Sequence, residues 1–139
     1  MENNYVRWLE RFETYKKALA RLTETMLLFE HRTFSPLEKD GMIQRFEYTQ
    51  ELAWKLLKNY IEYQGEYQKL TGSRDVVRQA FAIGLIKDSD TWFDMLNSRN
   101  ATSHVYDEKV EEEVLDKIIN LYYPILNDLK EAMEKISEQ

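Results

Sequence analysis

Residues 5–31 read YVRWLERFETYKKALARLTETMLLFEH, and the spacing of the large apolar side chains in this stretch decides the fold class. Tyr5, Trp8, Phe12, Tyr15, Leu19, Leu22, Met26 and Phe29 recur at alternating steps of three and four. At 3.6 residues per turn these positions line one face of an α-helix for about seven turns, or ~40 Å at 1.5 Å per residue. Glu10, Glu13, Lys16, Lys17, Arg21 and Glu24 fill the other faces. An aromatic-rich stripe of this length reads as the core face of a helical bundle rather than as a cofactor box.

The same period continues through the chain. Ser35-Pro36-Leu37-Glu38 predicts a helix start: Ser35 caps, Pro36 suits the first helical position, and Glu38 completes a capping box. The second helix carries Ile43, Phe46, Ala53, Leu57 and Tyr60 inward and should stop near Gly65. Gly65 to Gly72 forms the longest loop. Ser73 is expected to cap a short third helix holding Val76, Val77, Ala80 and Phe81, with Gly84 as its C-terminal stop. Asp88 is expected to cap a fourth, with Trp92, Phe93, Met95 and Leu96. Asp107-Glu108 opens the last helix, acids at its positive end. Its apolar face is expected to be Val110, Val114, Ile118, Leu121, Ile125, Leu129, Met133 and Ile136, and Pro124 should kink it. No segment sustains period-two alternation. The reading is all-α: an up-and-down antiparallel bundle of four to five helices, one domain over residues 1–139.

Composition narrows the function classes. The chain of 139 residues is long enough to bury a core without staples. With no cysteine, neither a disulfide framework nor a thiolate metal site can form. No apolar run approaches the ~20 residues of a membrane helix, and Met1 to Tyr5 lacks the basic start of a signal peptide. A cytoplasmic protein with no membrane partner is expected. The formal charge is −6, and all of it falls in residues 107–139, which hold 4 Lys and 10 Asp/Glu. A protein that grips long nucleic acid shows a basic face. Any RNA contact here must be local or completed by a second subunit. The 18 aromatic residues exceed what one slim bundle easily buries, so a homodimer is expected.

Several chemistries are excluded by residue type. Carboxylate-bridged metal sites in bundles use Glu-x-x-His on two helices. The residues three before His31 and His104 are Leu28 and Ala101, so no such site can be built, and no metal or cofactor is expected. Glu47 and Glu51 share a helix face and read as solvated or ion-paired. His31 sits where a helix C-terminus welcomes positive charge. No phosphate-binding Gly-x-x-x-x-Gly-Lys loop occurs. Gly72-Ser73 followed by Asp88-Ser89-Asp90 imitates a nucleotidyltransferase signature. The spacer reads as helix, however, and the acids of that signature belong side by side on a strand.

What remains is Arg99-Asn100-Ala101-Thr102-Ser103-His104-Val105-Tyr106. Arg99 can hold a phosphate through a bidentate fork and offset transition-state charge. His104 can move a proton near neutral pH. Asn100 lies four before His104 and can orient it. Arg99 and His104 diverge by ~140° on an ideal helix, so the quartet converges only if the backbone bends or unwinds between Thr102 and Tyr106.

This run resembles the Arg-x4-His-x-Tyr signature of HEPN-domain proteins. Arg7 to Phe12, Gln44 to Lys55, Val76 to Phe81 and Trp92 to Tyr106 resemble one HEPN-like family in particular, the nucleotidyltransferase substrate-binding proteins. The resemblance spans roughly residues 5–130. It implies a homodimeric bundle whose separately encoded minimal nucleotidyltransferase partner supplies the metal-binding carboxylates. It also implies a two-gene module of toxin–antitoxin type, handling a nucleotide or RNA. In related pairs the helical chain is a metal-independent ribonuclease, and the partner neutralises it, in some cases by adding AMP to the motif tyrosine, here Tyr106. Three roles stay open: a binding subunit, a ribonuclease with Arg99, Asn100 and His104 as catalytic group, and a structural bundle without ligand.

Overall fold

The computed structural model describes residues 2–65, 70–102 and 107–139, with side chains for 5–65, 70–98 and 107–139. Within them the elements run α1 (Glu2–His31), α2 (Pro36–Gln64), α3 (Ser73–Ala82), α4 (Ser89–Thr102), α5 (Glu108–Lys117), a π-helical turn (Ile118–Tyr122) and α6 (Tyr123–Ser137). No strand occurs among the described residues.

α1 and α2 form an antiparallel hairpin whose pairings fix its register. Trp8 meets Tyr60 edge-on at 5.1 Å, Arg11 donates to Asn59 at 3.0 Å, and Arg45 reaches back to Thr25 at 2.7 Å. The α1 stripe is the core: Trp8, Phe12, Tyr15, Leu19, Leu22 and Met26 are all buried. Each such side chain contributes about 1.5–3 kcal/mol on leaving water. Tyr5, at the frayed end of the stripe, is half exposed. The α5–α6 stretch packs across the hairpin, where the Tyr15 hydroxyl donates to the Leu126 carbonyl at 2.6 Å. Burial pushes the Tyr15 phenol well up. α4 runs antiparallel to that stretch.

The start of α2 is the capping box that Ser35 and Glu38 spell out, and Arg32 adds an ion pair to Glu38. That guanidinium, with the Ser35 backbone N–H, lowers the Glu38 carboxyl to about 2. Gly65 ends α2 in the left-handed region at φ 77°. Asp88 caps α4 by accepting from the Thr91 N–H at 3.0 Å, and Asp107 caps α5 by accepting from Lys109 at 2.9 Å.

Two expectations need correction, the Ser73 cap and Leu121 on the core face of the last helix. Ser73 is the first residue of α3 rather than its cap; Gly72 occupies that place at φ 95° without a side-chain bond. The turn there is tied instead by the Asp75 carboxylate, which accepts from the Thr71 N–H and hydroxyl. Phe81 lies in α3 as expected and is half exposed, α3 packing mainly against α2 and α4 among the described residues. Pro124 is preceded by a π turn, in which the Tyr123 N–H reaches back five residues to the Ile118 carbonyl. That wider turn accommodates a proline that has no N–H to donate. Tyr122, four residues on, rather than Leu121 continues the buried face from Ile118. Leu121 is exposed, while Tyr122, Leu126, Leu129 and Met133 carry the core face.

Candidate functional site

α4 carries the first residues of the motif, Arg99 to Thr102, in its last turn. Its N-terminal half is anchored by Trp92, Met95 and Leu96, all buried. The α4 backbone stays helical through Arg99 and Asn100 to Thr102, and α5 opens at Glu108. The side chains of Arg99 and Asn100, and the whole of His104 and Tyr106, lie outside the described residues, as does the expected break in the backbone between them.

Just before the motif in the chain sits a partly buried polar network. The Tyr122 hydroxyl lies 2.6 Å from the Asp94 carboxylate and 2.5 Å from the Ser98 hydroxyl. A carboxylate only accepts, so the phenol proton goes to Asp94 and Ser98 donates to the phenol oxygen. Lys117 pairs with Asp94 at 3.2 Å. The Tyr122 ring stacks on Phe46 of α2 at 5.3 Å. Burial and the neighbouring Asp94 carboxylate raise the Tyr122 phenol well above its ordinary value. The Tyr122 bond, then Lys117, hold Asp94 below the usual carboxylate range.

Next to this, Arg74 of α3 donates to Asn97 of α4, and both Arg74 and Arg78 lie over the Phe93 ring, at 5.8 and 5.9 Å. Sequence reasoning missed these groups. The cue for the arginines was their four-residue spacing on α3; the Asp94–Tyr122 contact had none.

The other charged surface is acidic. Lys39 pairs with Glu112 at 2.5 Å, and burial together with the adjacent Asp40 carboxyl raises Glu111. Glu51 accepts from the Trp54 indole at 3.1 Å and pairs with Lys55 at 3.5 Å, which bears out an ion-paired face. His31 is exposed at the end of α1. Among the described residues no group of three His, Asp or Glu side chains is placed to hold a metal ion, and no helix is long and apolar enough to cross a membrane. A groove of about 510 Å³ lies between the Leu85–Asp88 connection and α6, at the opposite end of α4 from Arg99 and Asn100.

Residues 10–135 match the family model described as nucleotidyltransferase substrate binding protein like. The chain belongs to this family. Two solved members of the fold are similar over nearly their whole length. One, from Thermus thermophilus, is 31% identical, covers 89% of this chain and 96% of its own, and has a TM-score of 0.68. The other, from Haemophilus influenzae, is 25% identical, covers 88% and 98%, and has a TM-score of 0.80. The latter structure is described as revealing the fold of a substrate binding domain of a nucleotidyltransferase. A curated relative, the probable ribonuclease HepT of Haemophilus influenzae, is 36% identical over 76 residues. That match takes in 50% of this chain and 49% of HepT, so the chain spans about half the length of the curated relative it matches. The nucleotidyltransferase substrate-binding resemblance and the all-helical bundle read from the sequence are both borne out.

Proposed function

We propose that the chain is the helical partner subunit of a separately encoded minimal nucleotidyltransferase, in a two-gene module of toxin–antitoxin type. It binds a nucleotide or RNA beside Arg99, His104 and Tyr106, and works as a homodimer. The family match across residues 10–135 carries this reading, together with the uninterrupted Arg99-Asn100-x3-His104-x-Tyr106 run within it. The helical backbone through Arg99 and Asn100 supports it, since a rigid element positions site residues better than a loop.

The second reading, favoured by the likeness to the probable ribonuclease, is metal-independent RNA cleavage. His104 takes the proton of a 2′-hydroxyl, whose oxygen attacks the adjacent phosphorus. The 5′-oxygen leaves with a proton returned from the imidazolium, giving a 2′,3′-cyclic phosphate. Arg99 offsets the charge on the phosphorane and Asn100 orients His104.

One experiment separates the readings. The purified chain is incubated with single-stranded RNA in EDTA, with and without the nucleotidyltransferase encoded beside it, and co-purification is scored. Cleavage that Arg99→Ala and His104→Ala each reduce by ~10²–10⁴-fold, with unfolding within about 1 kcal/mol of wild type, supports the ribonuclease. Asn100→Ala is expected to be milder. Tyr106→Phe keeps cleavage but abolishes AMP addition by the partner. Co-purification and RNA binding without cleavage support the binding subunit. A chain that neither cuts, binds RNA nor co-purifies is a plain structural bundle.

A further inference from the structure

We infer that the Tyr122 hydroxyl, through Asp94 and Ser98, is a positioning group that sets the rotation and the last turn of α4, and so the placement of Arg99 and Asn100. This rests on the proposed function of the motif. The Tyr122 ring is fully buried and stacked on Phe46, and a phenylalanine would fill that space equally well. A buried hydroxyl adds nothing to such packing, and costs free energy unless it is bonded. Here its bonds all go to α4, to the Asp94 carboxylate, to the Ser98 hydroxyl one helical turn on and, at a longer 3.4 Å, to the Asp94 carbonyl. Ser98 is itself buried, and Arg99 is the next residue.

Two bonds at successive turns of one face fix a helix against both rotation and sliding. A single apolar contact resists neither well, because packing is non-directional. The π turn has a part in this. Tyr122 is its last residue, four on from the buried Ile118 and itself buried, and π turns of this kind recur at functional sites. Lys117 completes the device from α5, holding the Asp94 carboxylate so that it faces the phenol. The last turn of α4 is thereby tied to the core rather than left to fray, as helix ends do.

The test uses the full chain and three variants: Tyr122→Phe, Asp94→Asn and Asp94→Ala. Amide hydrogen exchange of residues 98–102 is read against that of the α1–α2 hairpin, and a fluorescein-labelled single-stranded RNA reports binding and cleavage. Tyr122→Phe and Asp94→Ala are expected to speed exchange in 98–102 by roughly tenfold or more, with the hairpin unchanged. RNA binding or cleavage, whichever wild type shows, falls about 10–100-fold, the scale on which small misplacements act. Asp94→Asn keeps an acceptor for the phenol and stays within about threefold of wild type. Should Tyr122→Phe fail to fold, Asp94→Ala carries the same comparison from the other side of the bond. Unchanged exchange in 98–102 overturns the anchoring outright. Faster exchange with undiminished RNA handling overturns the positioning role. A wild type inert toward RNA overturns the functional reading and that role with it, and the exchange data then still decide whether the anchor exists.

Discussion

Gln50 lies at the centre of α2, fully buried, one turn along from the Phe46 that stacks on Tyr122. Neither its amide nitrogen nor its amide oxygen finds a hydrogen-bond partner among the described residues. Orphaned buried amide groups cost on the order of 1–3 kcal/mol. Methionine has nearly the same volume and no such groups. Gln50→Met is therefore expected to raise stability by about 1 kcal/mol in urea denaturation. A loss of similar size would mean that the amide is bonded and contributes to the fold. Residue type made the run from Arg99 to Tyr106 a candidate, but so short a pattern is common by itself, and it was the resemblance to the HEPN signature that singled it out. Residue type did not reveal Asp94, Ser98 and Tyr122 as one unit. Asp94 and Tyr122 are 28 residues apart, and their meeting depends on how two helices pack.

Among the elements, the two long helices were the most legible, because each announces both its face and its ends. The stripe on α1 and the capping box on α2 stand where the spacing puts them. On the last helix one core position differs from the reading, Tyr122 in place of Leu121: both fall within about 60° of Ile118 on a regular helix, so periodicity alone does not choose between them, while Ile125 packs against the core as expected. Ser73 misled for a different reason: Gly72 already turns the chain at positive φ, and Asp75 supplies the polar tie. The α2 start also carries a pH dependence. The Arg32 guanidinium and the Ser35 N–H bring the Glu38 carboxyl from 4.5 to about 2 in the fold. A carboxyl depressed on folding stabilises above its unfolded pKa and loses that contribution as pH falls through the folded one. Stability should therefore drop between pH 4.5 and about 2, and Glu38→Gln should flatten this dependence. Urea midpoints at pH 6 and pH 3, for both proteins, check it; a Glu38→Gln slope equal to wild type would remove Glu38 as its source. Ser35→Ala should cost about 1 kcal/mol at either pH, as cap removal usually does.

At the scale of the molecule the question is what covers the apolar surface that the bundle leaves open. Leu27 and Leu28 on α1, Leu37 and Tyr48 on α2, and Leu121 on the π turn each expose roughly half or more of their area. Single exposed leucines are ordinary, and only a contiguous area points to a partner. The charge layout gives a second reason to expect one. With the net charge of −6 confined to residues 107–139 and the rest neutral overall, the composition supplies no excess of basic residues for a broad RNA-binding face. A two-fold axis that brought two copies of the α3–α4 end together would place Arg74, Arg78 and Arg99 of each copy near their counterparts. It would double local positive charge without changing composition, and would suit an isologous interface. A dimer of ~34 kDa, twice the chain mass of 16.8 kDa, is therefore expected by light scattering at micromolar concentration. Replacing Leu27 and Leu28 with glutamate tests whether the exposed α1 face is the seam. If it is, the species falls to the monomer while helicity is kept. If the dimer survives those changes, the seam lies elsewhere on the bundle, and a wild type that is monomeric throughout the concentration range removes the symmetric assembly altogether.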